Sequence, residues 1–389
     1  MIAKGQYAIC GIGVTAQGRL AGRGVIGLAA EAFKLAIEDC GLQKKDVDGL
    51  LLQPGVGMMS GMGMGWWKVA EYLQLEVGIG SDMQLGGATA GAMVHNAMGA
   101  IEAGLANYVA IIYADNPFQM GPGAFALELG QWDGPAGNFG ASAPYSMAAR
   151  RHMHLYGTTH DQLGAIAVAQ RAFAQMNPGA MMRGRQMTLE DYHNTRWVTW
   201  PFHLVDCCLI SDGAGCIIVT SAERAAAMKK PPVYIWGIGQ AHHCYLDLGQ
   251  ARLDVTPVYA TRARDSGDKA FRMAGVDVND VDVCEFYDCY TFTVLNQVED
   301  YGFCKKGEGG PYCAEPGRLG PGGSLPINTG GGELSAWYHQ GMTPLEEGVW
   351  QVRGEAGERQ VKDVNICLVS GNGGIMSSHA TTILSPHPS

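Results

Sequence analysis

The segment Gly275-Val-Asp-Val-Asn-Asp-Val-Asp282 repeats Gly41-Leu-Gln-Lys-Lys-Asp-Val-Asp48, with Gly, Asp, Val and Asp matching at a constant offset of 234. A second echo precedes it: Tyr234–Gly239 (YIWGIG) reads like Tyr7–Gly13 (YAICGIG). The two echoes occur in the same order, at matching positions of a strand–helix–strand pattern. Leu28–Cys40 places Ala29, Ala32, Phe33, Ala36 and Ile37 on one helical face. Gly41 is a C-cap candidate, and Asp48–Gln53 reads as the next strand. Two such copies predict a duplicated α/β unit. The boundary falls near residue 228, before Lys229-Lys-Pro-Pro232, giving an N-terminal half at 1–228 and a C-terminal half at 229–389.

Working outward, the first half changes character between about 115 and 200. This stretch holds Trp132, Trp197 and four histidines (His152, His154, His160, His193), and it reads as an inserted cap or loop region. The histidines are expected at its surface. His152 and His154 do not share a helix face, so they do not form a metal pair. Helices are expected at 146–156 and 161–175. Gly55–Gly65 is a glycine- and methionine-rich connection, and Phe202–Thr220 reads as strand, Asp212-Gly213 turn and strand.

Composition bounds the function. Hydrophobic residues make up 47% and charged residues 16% of 389 residues, which describes a well-buried globular chain. The net charge of −10 and the lack of a Lys/Arg run argue against nucleic acid as a partner. Eleven cysteines with no C-x-x-C pair read as reduced thiols in a cytoplasmic protein, not as a zinc site. No secretory h-region or membrane span is expected.

Chemistry gathers at a few places. Cys284–Tyr290 (CEFYDCY) is a buried strand running into a loop, with Tyr287 and Tyr290 flanking Asp288. Asp82–Gly91 (DMQLGGATAG) is a strand, a tight glycine turn and a helix of small residues. That geometry presents a nucleophile in other enzymes, yet no Cys or Ser stands at the turn. Asn328-Thr-Gly-Gly-Gly332, Trp337-Tyr-His339 and Ser370-Gly-Asn-Gly-Gly374 follow. Backbone N–H groups of the glycine runs are candidate donors to an enolate oxygen.

In this order, together with Ser211-Asp-Gly-Ala214, these motifs resemble the thiolase superfamily across nearly all of the chain. The resemblance is to its lipid-transfer, sterol-carrier-protein-2-type branch, and within it to steroid side-chain-cleaving aldolases. It implies the duplicated, five-layered αβαβα fold and a homodimer. It also implies departures from a thiolase site. The cysteine of the elbow is missing near Gly86–Ala88, Tyr287 stands in place of a histidine, Tyr290 in place of a phenylalanine, and Ser370 in place of the second cysteine. Either Tyr338 or His339 fills the third catalytic place.

Thiolysis needs a thiolate and a base, whereas this site is rich in phenols. The resemblance implies retro-aldol cleavage of a β-hydroxyacyl-CoA, such as a 17-hydroxy steroid side-chain CoA ester. The products are a ketosteroid and propionyl-CoA or a similar short acyl-CoA. No cofactor is expected, because CoA is part of the substrate. Tyr290 and Tyr338 are the expected acid/base pair. Tyr287 and His339 are further catalytic candidates, and Asp288, Gly331, Asn372 and Gly373 are substrate or oxyanion candidates. A small OB-fold/zinc-ribbon protein is the implied partner. The alternatives are an acyl-CoA thiolase or acyltransferase using a displaced cysteine such as Cys289, and a non-catalytic acyl-CoA or lipid carrier.

Overall fold

The computed structural model describes residues 2–55, 65–119, 140–242 and 259–389. The glycine–methionine run at 56–64 and Trp132 lie outside them. The strands are β1 (Tyr7–Val14), β2 (Gly49–Pro54), β3 (Ile79–Asp82), β4 (Tyr108–Asp115), β5 (Trp197–Thr199), β6 (Phe202–His203), β7 (Gly213–Ser221), β8 (Val233–His242), β9 (Val283–Phe286), β10 (Cys367–Gly373) and β11 (Ser378–Ser385). Nine of them form one sheet in the order β3-β2-β4-β7-β1-β8-β11-β10-β9. From the β1–β8 junction the first four strands read the same in both directions, and β3 adds a fifth on one side. β1, β7 and β4 run antiparallel in turn and β2 is parallel to β4; β8, β11 and β10 run antiparallel in turn and β9 is parallel to β10.

Each matching residue of the repeat has a physical task. Gly41 and Gly275 cap the helices Val25–Cys40 and Ala263–Ala274 in left-handed backbone, with φ of 81° and 69°. Asp46 and Asp280 each accept a backbone N–H three residues back, from Gln43 and Asp277, both at 2.8 Å. Val47 and Val281 are buried. Asp48 accepts the N–H groups of Asn107 and Tyr108 at 2.7 and 2.8 Å, and Asp282 accepts those of Asn365 and Ile366, both at 2.8 Å. Each aspartate therefore fixes the chain that leads into the next strand of its half.

The YAICGIG and YIWGIG echo concerns packing. A Cβ on Gly11 or Gly13 of β1 would run into the carbonyl oxygens of Ala36 and Ala32 in the helix behind it. A Cβ on Gly237 or Gly239 of β8 would do the same to Ala270 and Ser266, which lie 234 residues further on. In both halves helix backbone rests directly on strand backbone. The opposite sheet face wraps around two central helices, Thr89–Glu102 and Met342–Arg353. Met93, Val94, Ala97, Leu345 and Val349 bury there with Ile9, Val109, Ile217, Ile235 and Val369, drawn from both half-sheets. Across the molecule this gives helix, half-sheet, central helices, half-sheet and helix, the five-layered thiolase-like arrangement.

Two expectations are corrected. Phe202–Thr220 is not a hairpin: β6 pairs with β5, and Cys207–Asp212 runs through the site instead. Asp212 is held by the N–H groups of Leu20 and Phe118, at 3.0 and 2.9 Å, so it anchors loops and does not simply turn the chain. His152 is not at the surface. It is fully buried, with Nε2 3.0 Å from Glu299 and Nδ1 2.8 Å from Thr158, because the helix Ser142–Tyr156 packs that face inward.

The glycine contacts are testable. Gly13→Ala and Gly239→Ala should each destabilise by about 1–3 kcal/mol through overpacking. Gly27→Ala, in the first helix with open space around the new Cβ, should instead be neutral or stabilise by about 0.5–1 kcal/mol. Urea unfolding of the three variants measures the contrast.

Candidate active site

Five segments meet at one end of the sheet: the elbow at 84–89, the run 207–212, the run after β9 at 287–290, the loop 328–341, and the end of β10 with the turn that follows it, at 371–376. Asn328, in left-handed backbone at φ 56°, clamps Phe286 on both sides. Its Oδ1 accepts the Phe286 N–H at 2.6 Å and its Nδ2 donates to the Phe286 carbonyl at 2.9 Å. The Tyr287 N–H donates to the Ser370 carbonyl at 2.8 Å, and Gln297 donates to the Tyr287 carbonyl at 2.9 Å. The backbone that carries Tyr287 is thus fixed from three directions.

Tyr287 and Tyr338 place their hydroxyl oxygens 3.3 Å apart. Both side chains are almost fully buried. Burial, with the Tyr338 phenol and Glu333 adding, pushes Tyr287 well above the usual phenol range. Burial does the same to Tyr338. Ser211 holds the Tyr338 backbone, accepting its N–H at 2.9 Å and donating to its carbonyl at 3.2 Å.

The structure brings the Tyr338 hydroxyl against Tyr287, whereas Tyr290, expected as its acid/base partner, meets Ser142. Tyr290 is the extended residue that precedes the helix Thr291–Tyr301. Its hydroxyl lies 3.0 Å from Ser142 Oγ, and its ring stacks on Phe202 at 4.8 Å and meets Tyr145 at the same distance. His339 faces away from the phenol pair. Its Nδ1 is 2.9 Å from Glu346 and its Nε2 is 2.9 Å from Gln17, so both ring nitrogens are engaged.

The oxyanion candidates divide. Asp288 is an acceptor whose carboxylate takes the N–H groups of Glu333 and Leu334, at 2.8 and 3.1 Å. It positions the loop and offers no donor when ionised. The Gly331 N–H donates to the Asn328 carbonyl at 2.8 Å, which removes it as an oxyanion donor. Gly373 is needed for close approach, since a Cβ there would overlap the Leu85 carbonyl. Asn372 differs from these: it is fully buried, and neither polar atom of its side-chain amide has a partner among the described residues. An unpaired buried amide costs about 1–3 kcal/mol, a cost that a bound carbonyl or enolate oxygen would remove.

The empty elbow has a steric reason. Gly86 is left-handed at φ 60°. A Cβ on Gly87 would fall 2.6 Å from ring carbons of Tyr287 and 2.5 Å from the Asn372 carbonyl oxygen. The tyrosine ring occupies space that a side chain at 87 would need. Gln53 ties the elbow to the loop opposite, donating to the Gln340 carbonyl at 2.9 Å. Four non-glycine residues with left-handed backbone border the site: Asn328, Gln340, Ile375 and Met376, with φ of 56°, 47°, 51° and 67°. Such strain, of order 1 kcal/mol or more per residue, gathers where surrounding contacts over-determine a functional geometry.

The displaced-cysteine alternative meets an electrostatic obstacle. Cys289 is buried, and burial pushes its thiol far above the usual range, away from the thiolate that nucleophilic catalysis needs. Sequence reading missed Ser142, Tyr145, Tyr113 and Glu333, all placed around the phenols by tertiary contacts. Glu333 alone had a nearby signal, the glycine run that it follows.

Residues 249–386 match the family model described as thiolase C-terminal domain-like. The chain is 34% identical over 390 residues to a steroid side-chain-cleaving aldolase of Thermomonospora curvata, covering 96% of each. It is 35% identical to a 17-hydroxy-3-oxo-4-pregnene-20-carboxyl-CoA lyase of Mycobacterium tuberculosis, covering 96% of this chain and 98% of that one. The solved structure of the Ltp2-ChsH2(DUF35) aldolase superposes with a TM-score of 0.89 at 33% identity, covering 99% of each chain. Among the described residues, no helix is long and apolar enough to cross a membrane.

Burial pushes the Asp288 carboxyl up to about 7 despite its two N–H donors. Its folded pKa therefore lies above the unfolded one near 4. The folded state keeps this proton to higher pH, so stability is greatest at low pH and is lost as pH rises from about 4 through about 7. Asp288→Asn cannot ionise. Its unfolding free energy relative to the parent should rise by about 2–4 kcal/mol between pH 4.5 and 8 and then level off, as measured by urea titration across that range.

Proposed function

The chain belongs to the thiolase superfamily, in its lipid-transfer branch, and on that premise we propose that it is a carbon–carbon lyase performing retro-aldol cleavage of a β-hydroxyacyl-CoA. The observation that carries this reading is the buried Tyr287–Tyr338 hydroxyl contact beside an elbow that holds no nucleophile. The acyl group proposed is a 17-hydroxy steroid side chain, released as a ketosteroid with propionyl-CoA as the second product. The 17-hydroxy-3-oxo-4-pregnene-20-carboxyl-CoA lyase among its relatives supports that choice.

Cleavage moves one proton from the β-hydroxyl to Cα. As the O–H bond breaks, its electrons form the ketone carbonyl, and the Cα–Cβ electrons pass into the thioester as an enolate. The enolate then takes a proton at Cα. A resting phenolate is disfavoured here, because both phenols are pushed up by burial. Two neutral phenols in contact avoid that cost. One accepts the substrate proton while passing its own to the other, which delivers a proton to Cα. The unpaired Asn372 amide is a fitting donor to the thioester oxygen as charge develops there.

The active assembly proposed is a homodimer with a small OB-fold/zinc-ribbon partner, in the cytoplasm. The solved aldolase with a DUF35 component supports the partner.

The test is incubation with the 17-hydroxy steroid CoA ester, with and without the small partner, and mass analysis for ketosteroid and propionyl-CoA. Tyr287→Phe and Tyr338→Phe should each lower kcat by about 10²–10⁴. The double variant should be no more than about threefold slower than the worse single one, because the relay fails when either member is missing. Tyr290→Phe should stay within about tenfold of the parent. Full activity in both single variants would remove the mechanism.

A further inference from the structure

Glu333 is fully buried in the short helix Gly332–Ser335. Its backbone is fixed by Asp288, which accepts its N–H, and by Leu209, whose N–H donates to its carbonyl, both at 2.8 Å. Its Oε1 accepts the Gly341 N–H at 2.7 Å. Its Oε2 is buried with no hydrogen-bond partner among the described residues. An isolated carboxylate oxygen in that position is costly, whereas a protonated one offers an unused O–H.

The titratable groups around Glu333 come from every neighbouring element. Asp288 comes from the end of β9 and Glu346 from the helix Met342–Arg353. Tyr113 of β4, Tyr287, Tyr338, Cys208 and Cys289 all feel its charge. None of these groups is a lysine or arginine. Burial, with Asp288 adding, pushes the Glu333 carboxyl well above the usual carboxylate range.

We propose that Glu333 is kept protonated beside the phenol pair, a positioning residue whose neutral carboxyl spares Tyr287 and Tyr338 the repulsion of a buried carboxylate while negative charge passes through them. The inference rests on the lyase reading above. Glu333 exchanges no proton over the cycle. The substrate hydroxyl proton enters one phenol and a phenol proton leaves to Cα. Held neutral, Glu333 leaves the charge that develops on either phenol oxygen without a carboxylate to oppose it. An ionised carboxylate in the same place would repel that charge, so cleavage fails once Glu333 loses its proton.

Two measurements test this on the full chain. The first is the infrared C=O stretch of a protonated carboxyl at pH 7.5. It should shift on transfer to deuterium oxide and be absent from the difference spectrum of Glu333→Gln. The second is the pH profile of kcat/KM for the steroid CoA ester. The parent should lose activity at alkaline pH along a one-proton limb. Glu333→Gln is neutral at every pH, so it should move the limb up by at least about one pH unit. If Glu333→Gln does not fold, the parent suffices: one carboxyl band and the rate must titrate together.

A missing band at pH 7.5 overturns the proposal, as does an unmoved alkaline limb in Glu333→Gln. A parent that binds but never cleaves the ester would overturn the lyase reading instead. The infrared band would then decide by itself whether Glu333 is kept protonated.

Discussion

The molecule depends on the antiparallel pairing of β1 with β8, where Tyr7, Ala8 and Ile9 face Ile235, Tyr234 and Val233. This short ladder joins two half-sheets into one and sets the two halves around the same central helices. Without it the site has no geometry, because its parts come from both halves. The elbow and Ser211 belong to the first, and Tyr287, Asn328, Tyr338 and Asn372 to the second. Ser211 fixing the Tyr338 backbone is a contact across 127 residues of sequence.

Around the phenol pair, apparently separate features form a single solution. Glycines at 86, 87, 341, 371 and 373 allow backbone to approach backbone, and a Cβ at 341 would overlap the Gly87 carbonyl. That approach leaves room for a tyrosine ring where the chain needs a phenol. Burial then keeps both phenols neutral. A neutral pair suits proton relay better than nucleophilic attack, and so the chemistry follows from the packing.

Much of this was legible in the sequence, for local reasons. The repeat could be read because each matching residue performs the same short-range task twice, as Asp48 and Asp282 do for the chain ahead of the next strand. The phenols could be read because they stand in two short motifs, Cys284–Tyr290 and Trp337-Tyr-His339, whose order along the chain resembles the family. Which tyrosine turns inward could not be read. That depends on contacts far along the chain, such as that of Tyr290 with Ser142, a residue of the inserted region. The engagement of His339 by Gln17 spans 322 residues, and the burial of His152 depends on Glu299. Neither leaves a trace at short range. The Gly331 N–H looked available because a glycine run advertises free backbone, while its actual partner, Asn328, is defined by the turn.

The mutual exclusion of a side chain at 87 and the ring of Tyr287 has a historical consequence. If this architecture descends from a thiolase site with a histidine at 287 and a side chain at 87, the substitutions had to occur in a fixed order. Position 87 had to become bare before a tyrosine could settle at 287, since the reverse order forces ring and Cβ into the same space. The loss of acyl-transfer chemistry would then precede the gain of the phenol relay.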